Sequence, residues 1–207
     1  MKTSFYRILI FLFALSSFNL KSESVEEIIV LEKKITNLDG WSQNLSISSL
    51  SSDDLVKLQA QHPKQIFRRV PGVWISRGSG QEHLTSMRSP VLTGPGACGS
   101  FLLMEDGVPV RPSGFCNVNG LFETSYELSQ GVEAITGPAS ARYGANAMHG
   151  VINVLTKDLK SENIFSTNLG PNDYQNIKLS VGDLEEWKLN ALITTNDGFR
   201  ENSGYDQ

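Results

Sequence analysis

One stretch constrains the fold of this chain more than any other: Gly137-Pro138-Ala139-Ser140-Ala141-Arg142-Tyr143-Gly144-Ala145-Asn146-Ala147-Met148-His149-Gly150-Val151-Ile152-Asn153-Val154-Leu155-Thr156-Lys157. Its left half is small and glycine-rich, its right half β-branched. Gly137-Pro138 fits neither a helix interior nor a central strand, so it marks a turn. Ala139 to Arg142 suit one short helical turn, which Gly144 is placed to stop. Val151 to Thr156 then reads as a buried strand. The small residues allow two backbones to approach closely.

The N-terminus sets the compartment. Lys2 and Arg7 precede the apolar run Ile8 to Leu15, which is too short to span a bilayer, and polar Ser16, Ser17 and Asn19 follow at once. Residues 1–24 therefore read as a secretory signal peptide. Export places the mature chain where disulfides persist. Cys98 and Cys116 flank the segment Phe101 to Val110, and a bridge between them would stabilise by roughly 3 kcal/mol in the chain-entropy model. A free, reactive Cys98 is the alternative, with His149 and Asn153 as its candidate partners in a soluble exported hydrolase or binding module. The composition, 40% hydrophobic and 19% charged, excludes disorder throughout. A net charge of −4 gives no reason to expect nucleic acid.

Val25 to Lys34 holds a short aliphatic run, Glu27-Ile28-Ile29-Val30, between charges. Such a segment can pair with an exposed sheet edge on another protein. Residues 35–50 are Ser-rich, with a short strand expected at about 44–47. Ser51 followed by Asp53 and Asp54 predicts a capped helix whose buried face carries Leu55 and Leu58. Pro63 suits the first turn of a second helix, which Pro71-Gly72 ends. Val73 to Ile75 and Leu84 to Arg88 read as strands around a turn at 77–80. Ser100 to Met104 is a strong strand. Asp106-Gly107 is a hairpin turn, and Pro109 belongs on an edge. Residues 121–128 read as a helix, and Gly131 to Thr136 as a strand.

Gly94 to Gly99 satisfies G-x-G-x-x-G, but a strand follows it where a dinucleotide site needs a helix. His62, His83 and His149 are scattered and have no metal-ligand spacing. No cofactor or resident metal is expected.

In its order of residues, Gly137 to Lys157 resembles the end of the plug domain of TonB-dependent outer-membrane receptors, G-P-x-S-x-x-Y-G-x-x-A-x-x-G-V-I-N-I-x-T-K, at nearly every fixed position. Phe67 to Val73 resembles the family segment ending in P-G-V. Leu103 to Val110 resembles I-D-G-V-P-V, and Glu133 matches the acid of I-E-V. Met87-Arg88-Ser89 stands where the family has I-R-G. The resemblance implies an α+β plug on a small mixed sheet. It implies that Glu27, Ile28, Ile29 and Val30 form the segment that pairs with TonB. It implies that Arg88 and Glu133 hold the plug against the barrel wall. It places Arg111, Phe115 and Asn117 in loops that meet arriving substrate.

Beyond Lys157 the pattern changes. Ile177, Leu179 and Val181 alternate with Asn176, Lys178 and Ser180. Trp187, Leu189, Ala191 and Ile193 alternate with Lys188 and Asn190. Phe165, Thr167 and Leu169 suggest an earlier strand. Position after a plug makes these the first antiparallel strands of a transmembrane β-barrel, although a half-buried soluble sheet shows the same period. So few strands cannot close a barrel, and the chain reads as the N-terminal part of a longer receptor. The expected division is 1–24 signal peptide, 25–43 TonB-box segment and linker, 44–157 plug, and 158–207 barrel start. The implied function is TonB-energised uptake of a scarce nutrient, such as a ferric siderophore or other metal chelate, across the outer membrane of a Gram-negative bacterium. The plug is reached from the periplasm, outer-membrane lipid is a partner, and no covalent chemistry is required. Iron, if it is cargo, arrives inside a chelate. A truncated chain without transport is the other reading.

Overall fold

A computed structural model describes residues 46–78, 80–89, 101–112, 118–183 and 186–207. The export signal, the Glu27–Val30 segment, Cys98, Cys116, Phe115 and Asn117 lie outside the described residues. Strand β1 is Ser46–Ser51, longer than and displaced from the expected 44–47. Its Ser-rich sequence has no periodicity to locate it, and pairing with a later strand fixes its ends. Ser51 ends the strand and caps helix α1 (Ser52–Leu58), in a capping box with Asp54. Asp54 N donates to Ser51 Oγ at 3.3 Å, and Ser51 N donates to Asp54 Oδ2 at 3.0 Å. Ser51 Oγ also donates to Asp54 Oδ2 at 2.7 Å, and this bond, with that from Ser51 N, holds the Asp54 carboxyl below its ordinary range. Pro63 opens helix α2 (Pro63–Phe67), as expected for a residue with no N–H to leave unpaired.

Strands β2 (Val73–Arg77) and β3 (His83–Met87) form a separate antiparallel pair, with Arg77 inside the strand rather than in the turn. Strand β4 (Phe101–Glu105) leads through Asp106 and Gly107, both at positive φ, into β5 (Val108–Pro109). That is the two-residue hairpin turn that Asp-Gly favours. Residues 121–128 do not form one helix. They form two 3₁₀ turns, Gly120–Glu123 and Tyr126–Leu128. Thr124 Oγ1 donates to Leu121 O, and Ser129 Oγ donates to Tyr126 O, so side-chain hydroxyls take carbonyls that a continuous helix would use.

Strand β6 (Gly131–Thr136), helix α3 (Ser140–Tyr143) and strand β7 (Gly150–Leu155) complete a five-stranded mixed sheet. Its order is β1-β6-β7-β4-β5, with β4 and β7 parallel and the other pairs antiparallel. Pro109 sits on the edge strand, where no ladder bond is lost. One face of the sheet, carrying Val132, Ala134, Ile152, Val154 and Leu103, packs on Leu55, Ile66, Phe67, Ile75 and Met87. The other face carries Leu102, Met104, Ile135 and Val151 beneath Ala139, Ala147 and Tyr143. β6 and β7 are buried along their whole length, which explains their mostly apolar sequence, with Glu133, Thr136 and Asn153 buried among the apolar residues.

Gly150 is the tightest point between the two layers. Its φ is +150°, and a Cβ there would stand 2.0 Å from Met87 Sδ and 2.2 Å from the Ile135 carbonyl oxygen. Only glycine fits.

A four-stranded antiparallel sheet follows, ordered β11-β10-β9-β8, with β8 Ile164–Gly170, β9 Tyr174–Gly182, β10 Lys188–Asn196 and β11 Tyr205–Asp206. The alternation of the first three was legible, and β11 was not. Their registers align Phe165, Leu179 and Ala191 in one row, and Thr167, Ile177 and Ile193 in the next.

Candidate functional site

Three chain connections leave one end of the mixed sheet. There β4 begins opposite Gly150, β6 ends opposite Gly150, and β5 runs out into Val110 and Arg111. A cavity of about 480 Å³ opens at this end, lined by Leu102, Val110, Arg111, Tyr143 and Asn146 among others. Arg111 reaches back to the plug itself. Its Nε donates to both carboxylate oxygens of Glu123, at 3.0 and 2.8 Å, and its second terminal nitrogen closes the fork. The pair lowers the Glu123 pKa and raises that of Arg111. The cavity thus offers an apolar floor, a phenol, an amide and a guanidinium shared with Glu123. Groups of these kinds can hold a small molecule by hydrogen bonds and contact.

The opposite end is locked by polar side chains. Asn153 Oδ1 accepts from Gly107 N at 2.9 Å, and Asp106 Oδ1 accepts from Thr156 N at 3.0 Å. The Thr156 hydroxyl also donates to Asp106 Oδ2. Asn153 is therefore committed to the Asp106-Gly107 turn. Lys157 follows at once, its pKa lowered by burial and by Lys188 and Lys178.

Arg88 and Glu133 occupy different places. Arg88, at φ +47°, lays its side chain along Gly72 and Gly137: a Cβ on Gly72 would meet Arg88 Cγ at 3.2 Å. Both positions are held at positive φ, +83° at Gly72 and +129° at Gly137, and this is why P-G-V and G-P carry glycine there. Glu133 is buried within β6, level with Ser49, Asn153 and Met104. Among the described residues an ion pair also joins the plug to the second sheet. Lys178 Nζ lies 2.6 Å from Glu127 Oε2. Tyr126 beside it is buried, which raises its pKa well above the ordinary value. Sequence reasoning passed over this pair, and the only signal was Lys178 on the polar side of β9.

On the second sheet the burial is inverted relative to a soluble sheet. Phe165 is 73% exposed, Leu169 77%, Leu189 54% and Ile193 55%. Asn176, Ser180 and Thr194 are buried on the other face. Asn168 Nδ2 donates to Asn176 Oδ1 at 3.2 Å, and Asn176 Nδ2 to Thr194 Oγ1 at 2.8 Å, a polar ladder across three strands. No helix among the described residues is long and apolar enough to cross a membrane, which says nothing of strands. Among the described residues no group of three metal-binding side chains converges.

The sequence model described as TonB-dependent Receptor Plug Domain matches residues 41–151, more than half of the chain. The chain belongs to this family. Solved structures of such receptors share the fold. The ferric yersiniabactin uptake receptor FyuA from Yersinia pestis matches with a TM-score of 0.55 and 20% identity, over 75% of this chain and 24% of that receptor. The siderophore receptor PirA from Acinetobacter baumannii matches with a TM-score of 0.52 and 23% identity, over 75% of this chain and 25% of that one. PiuA, a siderophore receptor from the same organism, gives 0.50 and 21%, over 73% and 21%. The chain spans about a quarter of the length of these receptors. The architecture is a plug followed by antiparallel strands, with no closed barrel in the described residues.

Proposed function

We propose that this chain forms the plug and first wall strands of an outer-membrane active transporter. The observation that carries this reading is the inverted second sheet: Phe165, Leu169, Leu189 and Ile193 face outward, while a polar ladder and Lys178 face the plug. Exposed apolar rows of this size are costly in water and stable in lipid. Substrate binds at the end of the plug sheet that holds the Arg111 cavity, with Phe115 and Asn117 as further contacts and Cys98–Cys116 as a staple. Arg88 and Glu133 help seat the plug. Occupancy releases Glu27, Ile28, Ile29 and Val30, which pair with TonB as an added strand. Tension from the inner-membrane complex then opens a path through the plug. The cargo is a small chelate of the siderophore kind, the class named for two of the structural neighbours, PirA and PiuA. Family membership and an apolar, hydrogen-bonding cavity support this reading.

The test is uptake in a strain lacking the complete gene, complemented by wild type or by a deletion of 27–30, under iron, cobalamin or carbohydrate limitation. Wild type restores energised uptake. The deletion binds substrate but does not transport it. Energised uptake by the deletion would overturn the TonB step, and no growth or uptake defect without the gene under any of these limitations would overturn transport.

A further inference from the structure

His62 and His83, far apart in sequence, meet in the core. They are 0% and 2% exposed, and their rings contact edge-to-face with centroids 6.1 Å apart. Each uses one ring nitrogen as an acceptor for a backbone N–H. His62 Nδ1 accepts from Lys64 N at 3.0 Å, which caps α2. His83 Nε2 accepts from Leu121 N at 3.3 Å, which ties the Gly120–Glu123 turn to β3. The acceptor nitrogens fix both tautomers. His83 carries its proton on Nδ1 and donates to Gln81 O at 3.1 Å. His62 carries its proton on Nε2, which is buried and has no hydrogen-bond partner among the described residues.

We propose that this pair is an acid-sensitive clasp: a second proton on either ring removes a backbone acceptor and releases the α2 N-terminus or the Gly120–Glu123 turn, while the central sheet stays intact. A proton on His62 Nδ1 would face the Lys64 N–H, and a proton on His83 Nε2 the Leu121 N–H. Two cationic rings in edge contact would also repel. The charged neighbours pull both ways. Arg77 on β2 opposes charge on His62, whereas the backbone of Gln81 and Glu82 favours it, as does the Glu82 carboxylate, whose own pKa His62 helps to lower. Around His83 stand Phe122, with its ring centroid 4.7 Å away, and Asn119, whose Oδ1 accepts from His83 N at 2.7 Å. Burial lowers both pKa values, and for His62 it outweighs Glu82. The released turn carries Glu123, the partner of Arg111, so acid would loosen the hold on one residue that lines the cavity described above.

The proposal concerns the plug alone and stands apart from the transport reading. Its test is amide hydrogen exchange on the complete receptor in detergent at pH 7.5 and 5.5, corrected for intrinsic rates. Protection of residues 62–67 and 118–124 should fall about tenfold for each histidine that opens, because a solvent-exposed imidazole with a pKa near 6.5 is mostly protonated at the lower pH. Residues 131–136 and 150–155 should not change. In a His62→Asn/His83→Gln variant the amides replace both acceptors and cannot titrate, so protection should not depend on pH. Histidine ring NMR of the wild type gives a second reading, with both rings neutral at pH 6.5. Equal protection at the two pH values, the same loss in the variant, or ordinary ring titration without loss of protection would overturn the clasp.

Discussion

Lys178 Nζ and Glu127 Oε2 approach to 2.6 Å, joining β9 to the 3₁₀ turn Tyr126–Leu128 of the plug. Both side chains are largely covered, so neither charge is fully solvated if the other is removed. Glu127→Gln or Lys178→Met should each weaken the seam by about 3 kcal/mol, and the charge-swapped double variant should recover part of that loss. Urea unfolding of the complete receptor, followed as a double-mutant cycle, measures the coupling directly.

Gly150→Ala should prevent the two layers of the plug from closing, at a cost above about 3 kcal/mol or with loss of folding. Shortening Met87 as well should rescue little, because the Ile135 carbonyl oxygen would still stand 2.2 Å from the new Cβ. Thermal melts of the single and double variants check both statements.

Ser51→Ala removes the α1 cap and should cost about 1 kcal/mol, read from denaturant midpoints. The Asp54 carboxyl loses the Ser51 Oγ hydrogen bond in the same variant but keeps that from the backbone N–H of residue 51, so its pKa should rise part of the way toward 3.8, as measured by NMR titration. In the wild type, the stabilisation held by Asp54 is present above that value and lost as pH falls through its lower folded value.

Acid should destabilise the folded plug before its carboxylates titrate. His62 is held down to about 4 by burial, against 6.5 when free. Below pH 6.5 the unfolded chain takes up a proton that the folded chain refuses, so stability falls from there to about pH 4 and then levels. The loss attributable to His62 is about 3 kcal/mol. Urea midpoints from pH 7.5 to 4 check the window, and His62→Asn should flatten most of it.

Local chemistry made much of the plug legible. Ser51 with Asp54, Pro63, Asp106-Gly107 and the Gly137 to Lys157 stretch each specify a cap, a turn or a close approach through neighbouring residues alone. The same is true of the alternation in β9 and β10, since its period belongs to the strand itself. Contacts made by tertiary packing were hidden. His62 could be read as a cap beside Pro63, but nothing in the sequence joins it to His83. Lys178 could be placed on the polar face of β9, but its partner sits in a segment read as one helix, where Thr124 and Ser129 divert the carbonyls. β1 shifted because a run of serines carries no period, and β11 was missed because two residues carry none either. Arg88 was legible as a motif residue, while the glycines it packs against became meaningful only with their geometry.

The claim that the second sheet faces lipid is tested most directly by site-directed spin labelling of the complete receptor in bilayers. Single labels would replace Phe165, Ile177, Leu189 and Ile193 on one face, and Asn168, Ser180 and Asn190 on the other. The account predicts high accessibility to oxygen and low accessibility to a polar nickel chelate at the first set. The second set should show restricted mobility and low oxygen accessibility. Outer-face labels that are readily relaxed by the nickel chelate, with no alternation along β8 to β10, would contradict it.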